Sequence, residues 1–328
     1  MGVIKMLNWY EFEPVDTLFF RGAEPMEMGE DHSATPIFPP MPQTIAGALR
    51  TTILIQNGVD FKDYEKGNID DDLKKSVGEY GKKAPFEVVG PLFSKDNKLY
   101  IPAPYSWYMD KSRKFEIEKS PTKSVIVKVR KSKKIEEDFI KTKNKPLYWV
   151  KPNNEELVSL GGFWIKFDDI NKNELEVYSL EYFVVFEQRV GIGLNDKADK
   201  GRIVREGMIY AFNHARLKEG VKIAFGIDKE LPLRKEGILR LGAERRFGRY
   251  TKTKIDLPND ESNSDGEWIS LSVVPKSEKA NEHIIATGKI MYVGGWDLAK
   301  GFHKPMVGYF PAGSVFNTKI NKNFIKIK

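Results

Sequence analysis

The sequence predicts an α+β fold built mostly from short strands, on three observations. Several short stretches alternate apolar and polar residues, only a few carry a helical period, and the connections are rich in glycine. Strands and helices do not follow one another in a regular βαβ order, which argues against a parallel doubly wound sheet.

Trp9, Tyr10 and Phe12 place a first strand within Leu7 to Phe20, leading into a loop around Pro14 and Asp16. Its aromatics, with Phe19 and Phe20, exceed what one strand face can bury, so some must meet a second domain or an interface. The prolines in Phe38-Pro39-Pro40-Met41-Pro42 delay a helix to Thr44, which is expected to cap it. Ile45, Ala48, Leu49 and Thr52 or Ile53 share one face of that helix, and Gly58 ends it. Asp60 to Lys83 reads as a charged, helix-bearing insertion. Val88 to Pro104 reads as two strands about Lys95-Asp96-Asn97. Phe163 to Phe167 and Glu181 to Gly193 are further strands. Gly207 to Leu217 and Val221 to Ile227 read as a hairpin around Lys218-Glu219-Gly220. Asn259 to Gly266 is a polar loop, followed by strands in Trp268 to Pro275 and His283 to Val293.

Composition restricts the function. The 328 residues suffice for two ordinary domains, and hydrophobic residues make up 41%, enough for a packed core. No stretch has the length or apolarity of a membrane span or a signal peptide, so a membrane is not an expected partner and a cytoplasmic setting is expected. Cysteine is absent, which excludes disulfides, cysteine-ligated zinc and a thiol nucleophile. Abundant Lys and Glu without Cys hint at a thermophilic source. The net charge is +7, and it is concentrated: Lys111 to Lys145 holds 13 basic against five acidic residues. Such a run is either a solvated loop or a surface for a polyanion, although Ser124 to Val129 within it alternates well enough for a strand, so that part of the run reads as an ordered hairpin.

Catalytic motifs are lacking. The four histidines, His32, His214, His283 and His303, have no metal-binding spacing. His32, beside Asp31 and Ser33, is the one best placed for proton transfer. Gly294 to Lys300 departs from a phosphate-binding loop at Ala299, and no nucleophile elbow is present. Asp70-Asp71-Asp72 do not share one face of an element and read as a turn. No cofactor or metal is expected.

Two segments combine glycine, cations and aromatics. In Leu241-Gly242-Ala243-Glu244-Arg245-Arg246-Phe247-Gly248-Arg249-Tyr250, the glycines admit close backbone approach to an anion. The arginines offer forks to phosphate, and Phe247 and Tyr250 offer faces to bases. Gly294-Gly295-Trp296 through Lys300, His303 and Lys304 repeats that mixture. With the basic run, these segments favour RNA binding over a pair of surface turns.

The chain also resembles a known family, the third subunit of the type III-B CRISPR Cmr effector complex, within the RAMP superfamily. The resemblance is carried in order by Pro14 to Arg21, Phe38 to Arg50, Arg189 to Gly193, Glu206 to Tyr210, Leu241 to Arg246, Gly294 to Ala299 and Pro311 to Val315. It implies two ferredoxin-like domains, placed here at residues 1–180, with the basic insertion, and 181–328, with the glycine-rich segments. It implies a non-catalytic subunit that holds the repeat-derived 5′ handle of the crRNA. The implied partners are the crRNA, the large palm-domain subunit and the backbone RAMP subunit. The implied RNA contacts are Arg21, His32, Arg50, Arg189, Gly242, Arg245, Arg246, Gly248 and Arg249. The second segment would add Gly294, Gly295, Trp296, Lys300, His303 and Lys304. Ala243 stands where many relatives carry glycine, and Arg205 to Phe212 matches an RRM aromatic motif poorly. The competing enzyme reading is a metal-independent RNase that processes precursor crRNA, with His32 and Arg21 or His303 and Lys304 supplying acid, base and charge.

Overall fold

The computed structural model describes residues 7–20, 33–34, 37–135, 147–194, 204–257, 266–297 and 302–327; residues 33–34, 192–194, 204–210 and 296–297 are described by backbone alone. The elements that place the site are, in chain order, β1 (Asn8–Pro14), α1 (Pro42–Gln56), α2 (Phe61–Lys66), α3 (Asp71–Val77), β2 (Val88–Lys95), β3 (Lys98–Pro102), α4 (Lys111–Lys119), β4 (Val125–Lys128), β5 (Trp164–Lys166) and β6 (Glu174–Tyr178). They continue with β7 (Val184–Leu194), β8 (Val204–Leu217), β9 (Val221–Ile227), β10 (Glu236–Arg240), β11 (Phe247–Thr253), β12 (Glu267–Ser270), α5 (Glu278–His283), β13 (Met291–Asp297), β14 (Phe302–Phe310), β15 (Val315–Phe316) and β16 (Phe324–Ile327). The fold is mixed, with many strands and few helices.

One nine-stranded sheet dominates, in the order β10-β11-β1-β9-β2-β3-β5-β6-β4, with antiparallel neighbours throughout. Strands from both sides of residue 180 share it. Trp9 points into one core with Val89, Leu92 and Phe93, while Tyr10 and Phe12 point into another with Ile45, Leu49 and Ile53 of α1. Both faces of β1 are therefore covered within this chain. Phe19 and Phe20 are buried too, so none of the five aromatics is left for a partner.

Helix α1 starts at Pro42, two residues earlier than the proline pattern suggests. Pro42 occupies the first turn, where its missing N–H costs nothing, and the cap is Met41, without a side-chain bond; Thr44 does not cap. Gly58, at φ 69°, follows the C-cap Asn57. Asp70 caps α3 by accepting from the N–H groups of Asp72 and Leu73, which accounts for the acidic triplet. Asp96 and Asn97 take φ of 51° and 56°, the two left-handed positions of a tight hairpin turn, and join β2 to β3.

Two further sequence expectations are corrected, and a third is extended. Strands β8 and β9 do not form a hairpin. The chain does turn there, with the Val221 N–H bonded to the Lys218 carbonyl at 3.0 Å. However, β8 pairs with β7 in a long antiparallel arm, with Ser33–Ala34 added in parallel on the other edge of β8, and β9 enters the large sheet between β1 and β2. Gly294 and Gly295 do not form a loop but lie in β13, which pairs with β14 through a register shift between Val293 and Gly295. The basic run is ordered in part, as the alternation in Ser124 to Val129 suggests, and more of it is ordered than that segment alone. Lys111–Lys119 is helix α4, Val125–Lys128 is the edge strand β4, and Arg130–Lys131 and Lys133–Lys134 each pair with a neighbouring strand. Residues 136–146 lie outside the described residues.

Candidate nucleic-acid interface

The glycine–arginine segment is the turn of the β10–β11 hairpin. The Leu241 N–H bonds the Arg246 carbonyl at 2.9 Å, closing the turn, and Glu244 and Arg245 both sit in the left-handed region at φ 56° and 57°. Gly242 has φ 98°, and a Cβ there would lie 2.7 Å from the Phe19 carbonyl oxygen. A Cβ on Gly248 would lie 2.3 Å from the Glu13 carbonyl oxygen. These two glycines thus admit the chain's own segment 12–20, and the Ala243 N–H donates to the Phe19 carbonyl at 2.8 Å.

Beneath the turn lies an ion network. Arg246 bonds Asp16 at 2.7 Å and Glu244 at 3.0 Å, and its side chain is only 18% exposed. Arg216 bonds Asp16 at 3.0 Å and also bonds Glu187. Arg189 stands 3.4 Å from Asp16 and 3.6 Å from Glu187. Three guanidiniums meet three carboxylates, so this cluster is locally neutral. The Asp16 carboxyl is pulled down to about 2, first by the Thr17 N–H and then by Arg216 and Arg189. His214 is buried beside it, stacked on Phe19 at 5.0 Å, with Nδ1 3.2 Å from the Thr17 hydroxyl. Burial holds its imidazole below the usual histidine range. Arg189 and Arg246 are therefore engaged by carboxylates of the chain itself.

What remains outward is a smaller set. Arg245 is exposed at the tip, Phe247 is 45% exposed, and Ile238 is 64% exposed. Ile238 stands opposite Arg249, and Arg240 opposite Phe247, so these four share the solvent face of the hairpin. Arg249 pairs with the exposed Glu236, at 2.5 Å. Tyr250 points the other way and is fully buried, its hydroxyl bonded by Gln56 at 2.8 Å, so it offers no face to a base. The pinned turn fixes an aromatic ring and several guanidiniums on a rigid sheet edge, a combination suited to phosphates and stacked bases.

The family model for CRISPR-associated protein (Cas_Cmr3) matches residues 10–270, which include the whole of this hairpin and its ion network. The chain belongs to the Cmr3 family. Its fold is similar to that of a chain in a cryo-EM structure of type III-B Cmr-beta bound to cognate target RNA, with TM-score 0.53 and 16% identity, covering 94% of this chain and 86% of that one. A second such structure, bound to cognate target RNA and AMPPnP, gives TM-score 0.51 and 15% identity, covering 94% and 85%. At these identities the likeness is one of fold. No curated protein matches.

In this Cmr3-family chain the other expected contacts are dispersed. Arg50 bonds the Lys82 carbonyl at 2.8 Å, the Glu79 carbonyl at 2.5 Å and the Tyr64 hydroxyl, tying α1 to the α2–α3 insertion. His303 and Lys304 are exposed on β14, opposite Trp296 and Gly295. Arg21, His32 and Lys300 lie outside the described residues, and Trp296 is described by backbone alone. Asp16, His214, Arg216 and Arg240 were not legible as site residues. Asp16 and Arg246 are 230 positions apart, so no local motif joins them. Among the described residues no helix is long and apolar enough to cross a membrane, and no group of three metal-binding side chains occurs.

Proposed function

We propose that this Cmr3-family protein is a non-catalytic RNA-binding subunit of a type III-B CRISPR effector complex, working in the cytoplasm in antiviral defence. It holds the repeat-derived 5′ handle of the crRNA, docks the large palm-domain subunit and touches the backbone RAMP subunit. The observation that carries the RNA reading is the β10–β11 hairpin, which displays Arg240, Arg245, Phe247 and Arg249 outward on a turn pinned by Arg246 and Asp16.

The order β11-β1-β9-β2, with α1 after β1, supports reading this half of the sheet as ferredoxin-like, with β10 where the second helix would run. A second ferredoxin-like unit in the remainder is part of the same proposal. Incubating the purified chain with labelled repeat RNA tests the function. Bound, uncut RNA is the expected result; cleaved RNA supports the processing RNase, and free RNA leaves a scaffold that contacts protein alone.

A further inference from the structure

The nine-stranded sheet ends in β4 on one side and β10 on the other, each with one backbone edge that bonds no further strand among the described residues. β4 is short and carries Lys128, the kind of edge that resists pairing. β10 is different. Glu236, Ile238 and Arg240 alternate along it, all three are exposed, and neither proline nor lysine interrupts the strand. Bonds at both ends of the hairpin fix which way its backbone groups point. The Leu241 N–H bonds the Arg246 carbonyl at 2.9 Å and the Lys252 N–H bonds the Lys235 carbonyl at 2.6 Å, so the odd-numbered residues of β10 face β11. The N–H and C=O groups of Glu236, Ile238 and Arg240 therefore point out of the sheet edge, and among the described residues no backbone group meets them.

We propose that β10 is a self-pairing edge, through which a second copy of this chain extends the sheet in a twofold dimer. The edge is complementary to itself. When two copies of β10 run antiparallel with Ile238 opposite Ile238, Glu236 of each copy faces Arg240 of the other. Every outward backbone group of the three residues then gains a partner, and the two isoleucines, each 64% exposed in the single chain, cover one another. Centring the pair on Glu236 or on Arg240 sets like charges against each other, and the remaining registers leave one end of the strand unpaired. Arg240 has no ion pair among the described residues, so the facing carboxylate is a gain for it. One short strand per copy makes a small interface, so the association is weak and depends on concentration. The contact uses the backbone edge of β10 and does not rest on the RNA reading of the hairpin's outward face.

Sedimentation of the full, RNA-free chain from about 1 µM to about 500 µM tests it. A reversible monomer–dimer equilibrium within that range is expected. Ile238→Pro removes an outward N–H that β11 does not use, so it should weaken the dimer about tenfold or more while the chain stays folded. A charge series gives a reading that misfolding cannot imitate. Glu236→Arg alone and Arg240→Glu alone should each weaken association, and the two together should restore it, because only direct pairing of these positions across the axis makes the double variant complementary again. A chain that stays monomeric over the whole range, a dimer that Ile238→Pro leaves intact, or a double charge variant no tighter than the single ones would each overturn the proposal.

Discussion

Arg246 reaches 2.7 Å to Asp16, and through that contact the turn of the glycine hairpin is tied to the end of β1 and to the root of the β7–β8 arm. An arginine read from sequence as a phosphate fork is thus a structural clasp. Arg246→Ala should lower stability by about 1 kcal/mol, because it removes a largely covered guanidinium that joins two half-exposed carboxylates, Asp16 and Glu244. Chemical denaturation checks this; a loss below about 0.5 kcal/mol would contradict the clasp.

Asp16 titrates low in the fold, about 2, against an ordinary aspartate near 3.9. A depressed carboxyl contributes stability that is fully present above the unfolded value and is lost as pH falls through the folded one. The stability gap between the parent and Asp16→Asn should therefore narrow between about pH 4 and pH 2. A gap that stays constant across that window would show that Asp16 acts by shape and not by charge.

His214 is shifted the same way, its pKa lowered chiefly by burial. The unfolded chain then binds the proton more readily, so His214 weakens the fold as pH drops below about 6.5. His214→Gln should flatten the pH dependence of the melting temperature there. An unchanged profile would place the titration elsewhere.

Two glycines should respond in opposite directions. A Cβ on Gly248 would meet the Glu13 carbonyl at 2.3 Å, so Gly248→Ala forces the hairpin off β1 and should cost about 1–3 kcal/mol. Gly47 has open space around its Cβ position within α1, so Gly47→Ala should stabilise by about 0.5–1 kcal/mol. Melts of the two variants that shift in the same direction would contradict this account of why each glycine is present.

The ordered half of the basic run changes what proteolysis should show. Lys119 ends helix α4 and Lys128 lies in β4, so limited trypsin digestion should spare both in the free chain. Early cuts at those two lysines would mean that α4 and β4 open readily.

The local parts of the fold were legible in the sequence. Asp96-Asn97 announce their turn by residue type, and α1 announces itself through Ile45, Leu49 and Ile53. The glycine hairpin also stood out as the exposed cationic element. What escaped depends on distant partners. Nothing near Arg246 signals Asp16. Nothing in Lys218-Glu219-Gly220 says that the Lys218 N–H bonds the Phe183 carbonyl, so that β9 parts from β8. Gly294-Gly295 suggested a loop because glycine marks turns, whereas here it accompanies a register shift within a strand. Within the basic run the alternation from Ser124 to Val129 was legible as a strand, and it is one at Val125–Lys128, but the lysines around Ile117 concealed helix α4.

On the proposed function, the outward face of the β10–β11 hairpin holds RNA backbone. The most direct measurement is the salt dependence of affinity for an RNA bearing the repeat-derived 5′ handle, compared between the parent and Arg245→Ala with Arg249→Ala. Both side chains are exposed, so the variant should remain folded. Each lost phosphate contact should reduce the log–log salt slope by about 0.7, and affinity should fall with it. A double variant with the parent's slope and affinity would contradict the account and remove this hairpin from the RNA site.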